Sequence, residues 1–319
     1  MFREKIPQQQ YAGWLFVAMT APLARSAGMQ GWLPALVAAI ICLGLCWIVH
    51  VLPTEHLRKK RWYCILQIVW LVITLAALAD WSADAWPTGG DFPVVPLTLI
   101  TLAVFAALNG PVGGSRVSGV LLWFLVLLYG IVLAAGSKNV KPEWLLPKWE
   151  NPGVTMLFVL LLPAAGVFLP REKGRTPLWV FLAILLFFTA LALWSVGTIS
   201  PKVAGEVAWP FYESAKSLSL FGVAERFEAL VSVAMTMGYF SLYSLLLCGV
   251  GNLAENLHPG WGRWSVIAGG VAAGILVLLA LCPAPVVLVI ITLIAWGLLS
   301  VFGAFTELWK KSKKDEKTT

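Results

Sequence analysis

Ten long apolar runs, each closed off by charge, proline or glycine, constrain this chain more than any motif in it. They cover approximately residues 11–28, 31–51, 62–80, 93–109, 117–137, 153–170, 178–197, 227–250, 264–282 and 284–306. At about 1.5 Å rise per residue, most of these runs are long enough as helices to cross a hydrocarbon core of about 30 Å. The runs are continuously apolar rather than alternating, which argues against the strands of a membrane barrel. The predicted fold class is therefore an all-α polytopic membrane protein, with about ten transmembrane helices forming a single transmembrane domain over 1–319. Composition points the same way: 59% of the 319 residues are hydrophobic and only 12% are charged, about half the charged share of a soluble domain. So few charges do not cover a water-facing surface, and so many hydrophobes do not leave a chain disordered.

The charges orient the spans. The net charge is +7, carried by short basic clusters between apolar runs. These read as cytoplasmic anchors under the positive-inside rule rather than as nucleic-acid contacts. With the N-terminus inside, the inner loops hold Arg3, Lys5, Arg58 to Arg61, Arg116, the Arg171–Arg175 cluster, Arg263 and the lysines from Lys310 onward. That is 16 of the 23 basic residues. Ten spans also bring the C-terminus inside, so both termini are expected in the cytoplasm, with 307–319 as a basic tail. Tryptophans at the run ends, including Trp62, Trp81, Trp86, Trp144, Trp149, Trp261, Trp264 and Trp309, read as interfacial belts. Arg3 and Lys5 ahead of an apolar stretch, with Ala24–Ala27 after it, resemble a secretory leader. The topology works better with that segment retained. The five cysteines all fall in or at the ends of apolar runs. Cys42 and Cys46 are one turn apart, yet no acidic residue stands beside them, so packed thiols are expected and no metal.

The first and sixth runs are among the shortest, and proline interrupts both, at Pro22 and at Pro163. The sixth also opens on Asn151-Pro152-Gly153. These are matching places if the chain is two halves of five helices, 11–137 and 153–306, the second inserted upside down relative to the first. Broken helices in matching places of an inverted repeat point to a midplane binding site, because their freed N–H and C=O groups can be met by a ligand. Simple proline kinks are the other reading.

Several stretches together resemble a known family. Ile6-Pro7-Gln8-Gln9-Gln10, Ala21-Pro22-Leu23-Ala24-Arg25-Ser26-Ala27-Gly28 and Gly31-Trp32-Leu33 are similar to the opening of the B-subunit permeases of spore germinant receptors. These belong to the amino acid/polyamine/organocation transporter superfamily. Asn109-Gly110 to Arg116-Val117-Ser118 resembles that family's turn between helices four and five, and Leu145-Leu146-Pro147 its loop after helix five. Trp209-Pro210-Phe211-Tyr212 through Phe221-Gly222-Val223-Ala224-Glu225-Arg226-Phe227-Glu228-Ala229-Leu230 resembles its proline-containing outer loop and the Arg-x-Glu that opens helix eight. The resemblance runs in order over the whole chain. It implies a five-plus-five inverted repeat, a place in the inner membrane of a spore, and separate A and C partner subunits. Two departures fall where the pocket belongs: Val17–Ala21 has no glycine break, and Val154 stands where relatives carry Glu after a longer preceding stretch.

On this resemblance a pocket for a small nutrient is lined by Thr20, Ala21 and Pro22 from the first run and Asn151, Gly153 and Thr155 from the sixth. Gln67, Thr236 and Tyr239 come from the third and eighth. Gln67 in an apolar helix is either ligand contact or interhelical glue, and Thr236 and Tyr239 share a face that is either pocket or packing seam. Arg116, Glu225, Arg226 and Glu228 are candidates for gating or assembly. The last three also fit an interfacial helix cap. The stretch 201–224 spaces Phe211, Ala215, Leu218 and Gly222 as a short helix, read either as a lid over the outer vestibule or as a passive surface helix. Acids and histidine are scarce away from the span ends, which argues against a proton relay while leaving sodium open. No nucleophile or metal accompanies the paired carboxylates, so no enzyme is expected, and no cofactor. The expected function is a germinant-receptor membrane subunit that senses a small nutrient such as an amino acid. Its expected partners are the lipid bilayer and the A and C subunits, without nucleic acid. A secondary transporter of similar solutes, or a structural subunit with a vestigial pocket, are the alternatives.

Overall fold

The computed structural model describes residue 2 and residues 4–28, 32–52, 57–83, 93–146, 153–172, 178–216 and 227–299. Its helices are α1 (Gln8–Ser26), α2 (Trp32–Val51), α3 (Arg61–Ala83), α4 (Val94–Leu108), α5 (Gly110–Gly136), α6 (Val154–Leu161), α7 (Leu178–Ile199), α8 (Pro201–Glu206), α9 (Pro210–Lys216), α10 (Phe227–Leu257), α11 (Trp261–Leu278) and α12 (Pro285–Thr292). Among the described residues six helices, α2, α3, α5, α7, α10 and α11, are long and apolar enough to cross a membrane. The chain is thus an all-α membrane protein. Extended pairing among the described residues is confined to one parallel bridge, Ile6 with Arg171. There Ile6 N–H donates to the Pro170 carbonyl at 3.0 Å and Glu172 N–H donates to the Ile6 carbonyl at 3.1 Å.

The outside of the bundle is as apolar as a lipid contact requires. Val120, Trp123 and Leu186 are exposed by 74%, 77% and 69%, fractions that would mark an aggregation-prone patch in water and are ordinary against acyl chains. Trp62, Trp179, Trp261 and Trp264, exposed near the starts of α3, α7 and α11, have the amphipathic character of an interfacial belt.

The first expected break is not a break. α1 runs as helix through Pro22. Proline there removes one backbone donor near the helix end, and Ser26 Oγ donates back to the Pro22 carbonyl at 3.1 Å, so the last turn holds. The sixth run does change. After Leu161 the α-helix tightens to a 3₁₀ stretch, Leu162–Phe168, all of it buried. Pro163 has no N–H to bond four residues back, so the α pattern stops there. The fifth run begins earlier than its hydropathy suggested, at Gly110, because Pro111 suits the first turn of a helix. At its far end α12 passes into a π turn, Leu293–Leu298.

α1 sits at the centre. From Tyr11 to Gly28 every residue except Phe16 is buried, against α5, α6, α7, α9 and α10. The tightest crossing is with α10. A Cβ added at Gly238 would lie 2.7 Å from Ala21 Cβ, 2.8 Å from Thr20 Oγ1 and 3.0 Å from the Ala21 nitrogen. Only glycine lets the two backbones approach so closely. The turn after α1 reaches Gly28, whose φ of +92° suits glycine and whose missing Cβ would meet Ser195 Cβ at 2.9 Å.

Candidate functional site

The four elements expected to form a pocket meet beside the C-terminal half of α1, and the residue at their centre is Arg25. This side chain is 9% exposed. Its guanidinium carbon stands 4.9 Å from the centre of the Trp209 ring and 5.8 Å from that of Trp81, at the end of α3. The Tyr239 hydroxyl of α10 is a hydrogen-bonding partner of the same guanidinium. Aromatic contacts extend the enclosure. Tyr239 lies 6.3 Å from Trp209 and 5.8 Å from Tyr243, while Trp81 meets Phe158 of α6 edge-on at 5.4 Å. Ser82 and Tyr243 share a hydrogen bond of 3.0 Å. The result is an aromatic chamber around one cation, built from α1, α3, α6 and α10 and closed by the segment between α8 and α9. Cation–π attraction over two indoles contributes about 1–2 kcal/mol each in such a desolvated setting.

The residues expected to line the pocket divide into three groups. Thr20 and Ala21 meet Gly238 and so lie next to Tyr239; Thr20 Oγ1 donates to the Val17 carbonyl of its own helix at 2.8 Å. Pro22 lies one residue beyond. Gly153 and Thr155 stand half-buried at the start of α6. Thr236 is also half-buried and bonds the Ser232 carbonyl at 2.7 Å. Gln67 points elsewhere, donating to the Ala295 carbonyl in the π turn at 2.6 Å, with Trp70 Nε1 donating to Thr292 Oγ1 at 2.9 Å beside it. Asn151, Glu225 and Arg226 lie outside the described residues. Glu228 falls in the first turn of α10, and Arg116 is exposed near the start of α5.

Two further features were not singled out from the sequence. At the opposite end of α1, Tyr11 and His50 form a buried hydrogen bond of 2.8 Å. His50 Nδ1 is 2.8 Å from the Cys46 carbonyl, an acceptor only. Nδ1 therefore carries the proton in the neutral ring, and Tyr11 donates to Nε2. Arg171 donates to the His50 carbonyl at 2.8 Å and lies over the Tyr11 ring at 5.7 Å. Together with the Ile6 bridge, this ties the start of the chain to the segment after the 3₁₀ stretch. The second feature is a cavity of about 230 Å³ between the α4–α5 turn and α10, lined by Asn109, Gly113, Gly114, Ser118, Ser241 and Ser244 among others. Ser118 and Ser241 share a hydrogen bond of 3.0 Å on its wall.

Arg25 carried a signal. It is one of seven basic residues that the charge rule leaves on the outer side, and it lies inside an apolar run rather than in a loop. A charge in that position pairs, snorkels or serves a site. Comparison with known proteins adds no assignment: no family model and no curated protein matches the chain.

Proposed function

We propose that this protein is the membrane subunit of a spore germinant receptor, which senses a small nutrient such as an amino acid between α1, α3, α6 and α10. In this reading the chain has ten spans: the six long helices, α1, and the three shorter apolar ones at α4, α6 with its 3₁₀ stretch, and α12 with its π turn. They form two inverted halves, α1 to α5, then α6, α7, α10, α11 and α12. Both termini are cytoplasmic, the membrane is the inner membrane of the spore, and A- and C-type subunits read out the bundle's state.

The observation that carries the reading is the burial of α1 and of the α6–3₁₀ span, the two segments that open the proposed halves. They touch one another, and α1 carries the buried Arg25 together with the buried Thr20. A helix enclosed by its neighbours, yet less apolar than the helices around it, is placed for a ligand rather than for lipid. A ligand favouring one arrangement of α1 and α6 over another shifts the bundle by its difference in affinity, and partner subunits respond to that shift.

The test uses spores lacking this chain, complemented with the wild-type gene. Germination in response to single nutrients should be lost and restored. The purified protein in proteoliposomes should bind the active nutrient without concentrating it. Accumulation against a gradient would replace the sensor with a transporter, and unchanged germination in the deletion strain would reject the receptor reading.

A further inference from the structure

The aromatic chamber holds a donor that no described residue satisfies. Trp209 is 5% exposed, and its Nε1–H has no hydrogen-bond acceptor among the described residues. Buried indole N–H groups normally find a partner, since leaving one without costs its full desolvation. This one belongs to the very ring whose face carries the Arg25 guanidinium. The chamber is thus rich in donors, with a fixed planar cation beside an unsatisfied neutral N–H, and walled by Trp81, Tyr239, Tyr243 and Phe158. The group that complements it is small, accepts at two oxygens and carries negative charge. A guanidinium held over an indole face forms its hydrogen bonds along its edge, and that edge matches a carboxylate.

We infer that Arg25 and Trp209 Nε1 form the carboxylate-recognition end of the ligand site, so that the ligand is a small carboxylic acid entering from the α8–α9 side. Trp209 lies between those two short helices, and α9 packs on α1, α7 and α10. The carboxylate meets the guanidinium and the indole N–H. The inference rests on the sensor reading only for what binding is used for.

The experiment is a ligand series on the unmodified full-length chain in detergent micelles. Each of the proteinogenic L-amino acids is titrated calorimetrically beside its own α-carboxamide, which keeps size and removes the charge. At least one acid should bind, with its amide weaker by about tenfold or more, because a site built around a charge rejects the neutral analogue. Arg25→Gln should erase the difference between acid and amide. Trp209→Phe keeps the ring face over Arg25, removes only the N–H, and should weaken the acid by about three- to tenfold. Should Arg25→Gln fail to fold, the ligand series and Trp209→Phe decide alone. The inference fails if no acid binds, if acids and amides bind equally, or if a folded Arg25→Gln binds the acid as tightly as wild type. The two readings separate cleanly. Germination triggered equally by acid and amide keeps the sensor and rejects the site. Carboxylate binding without any germination phenotype keeps the site and rejects the sensor.

Discussion

The close approach of α1 and α10 at Gly238 gives a sharp stability prediction. In Gly238→Ala the new Cβ falls 2.7 Å from Ala21 Cβ, 2.8 Å from Thr20 Oγ1 and 3.0 Å from the Ala21 nitrogen, where carbon atoms prefer about 3.5–4.0 Å. None of the three neighbours yields easily. Ala21 Cβ and N are fixed to the helix, and Thr20 Oγ1 is held by the Val17 carbonyl at 2.8 Å. Relief therefore requires α1 and α10 to separate by about 1 Å along their length, and overpacking of this kind costs about 1–3 kcal/mol. Because the contacts are rigid we take the upper figure. The better helix propensity of alanine returns about 1 kcal/mol, which leaves a net loss of about 2 kcal/mol, a roughly thirtyfold change in the folded fraction. The assay is thermal unfolding followed with a fluorogenic maleimide, for which the buried thiols Cys42, Cys46, Cys64 and Cys248 are built-in reporters. Gly44→Ala on α2 is the control, since a Cβ there meets nothing within 4 Å; it should match wild type or gain up to about 1 kcal/mol. An unfolding midpoint for Gly238→Ala equal to or above that of Gly44→Ala would refute the crossing.

Two other substitutions probe separate parts of the bundle. Tyr11→Phe removes the donor to His50 Nε2 and leaves a buried acceptor unsatisfied, so the unfolding midpoint should fall by the equivalent of about 1–2 kcal/mol; no change would mean that the Tyr11–His50 pair does not hold the end of the bundle. Gln67→Leu exchanges one hydrogen bond to the Ala295 carbonyl for the removal of Oε1, which is buried with no partner among the described residues. These effects oppose each other, and interhelical hydrogen bonds in membranes average only about 0.6 kcal/mol. Stability should therefore stay within about 1 kcal/mol of wild type and calorimetric ligand binding should be unchanged. Loss of binding would make Gln67 a ligand contact.

The spans were legible because the hydrophobic requirement of a bilayer acts locally, residue by residue. The run read at 178–197 is α7 at Leu178–Ile199, and the run at 31–51 is α2 at Trp32–Val51. The boundaries moved where local chemistry outweighed hydropathy, as at Gly110-Pro111, and a helix-breaking residue proved harmless where the last turn had another partner, as at Pro22. The stretch 201–224 contains two short helices in its described part, α8 and α9, rather than one, because Pro210 starts a second helix after the extended turn at Val207. What local pattern did not carry was which polar residue faces which neighbour. Arg25 appeared in a motif quoted for its resemblance, yet its burial depends on Trp81 and Trp209, far along the chain. His50 ends an apolar run and drew no notice in the sequence, yet Tyr11 and Arg171 pack on it. Gln67 left two readings open, and the helix that meets it lies 228 residues away.

The central position of α1 also dictates how this protein must be made. Every helix that encloses it comes later in the chain, and one of its fixing bonds, from Trp14 Nε1 to the Ser241 carbonyl, joins residues 227 positions apart. Closing so long a loop is entropically uphill until the distant contact forms. Until α10 arrives, Thr20 and Arg25 face lipid or the translocation machinery without their shelter, at a standing cost. Assembly around α1 is thus governed by the last helix to enclose it rather than by the first. A chain cut after α7 would hold most of its spans and still lack a seat for its core, leaving a substrate for membrane quality control rather than a half-working bundle.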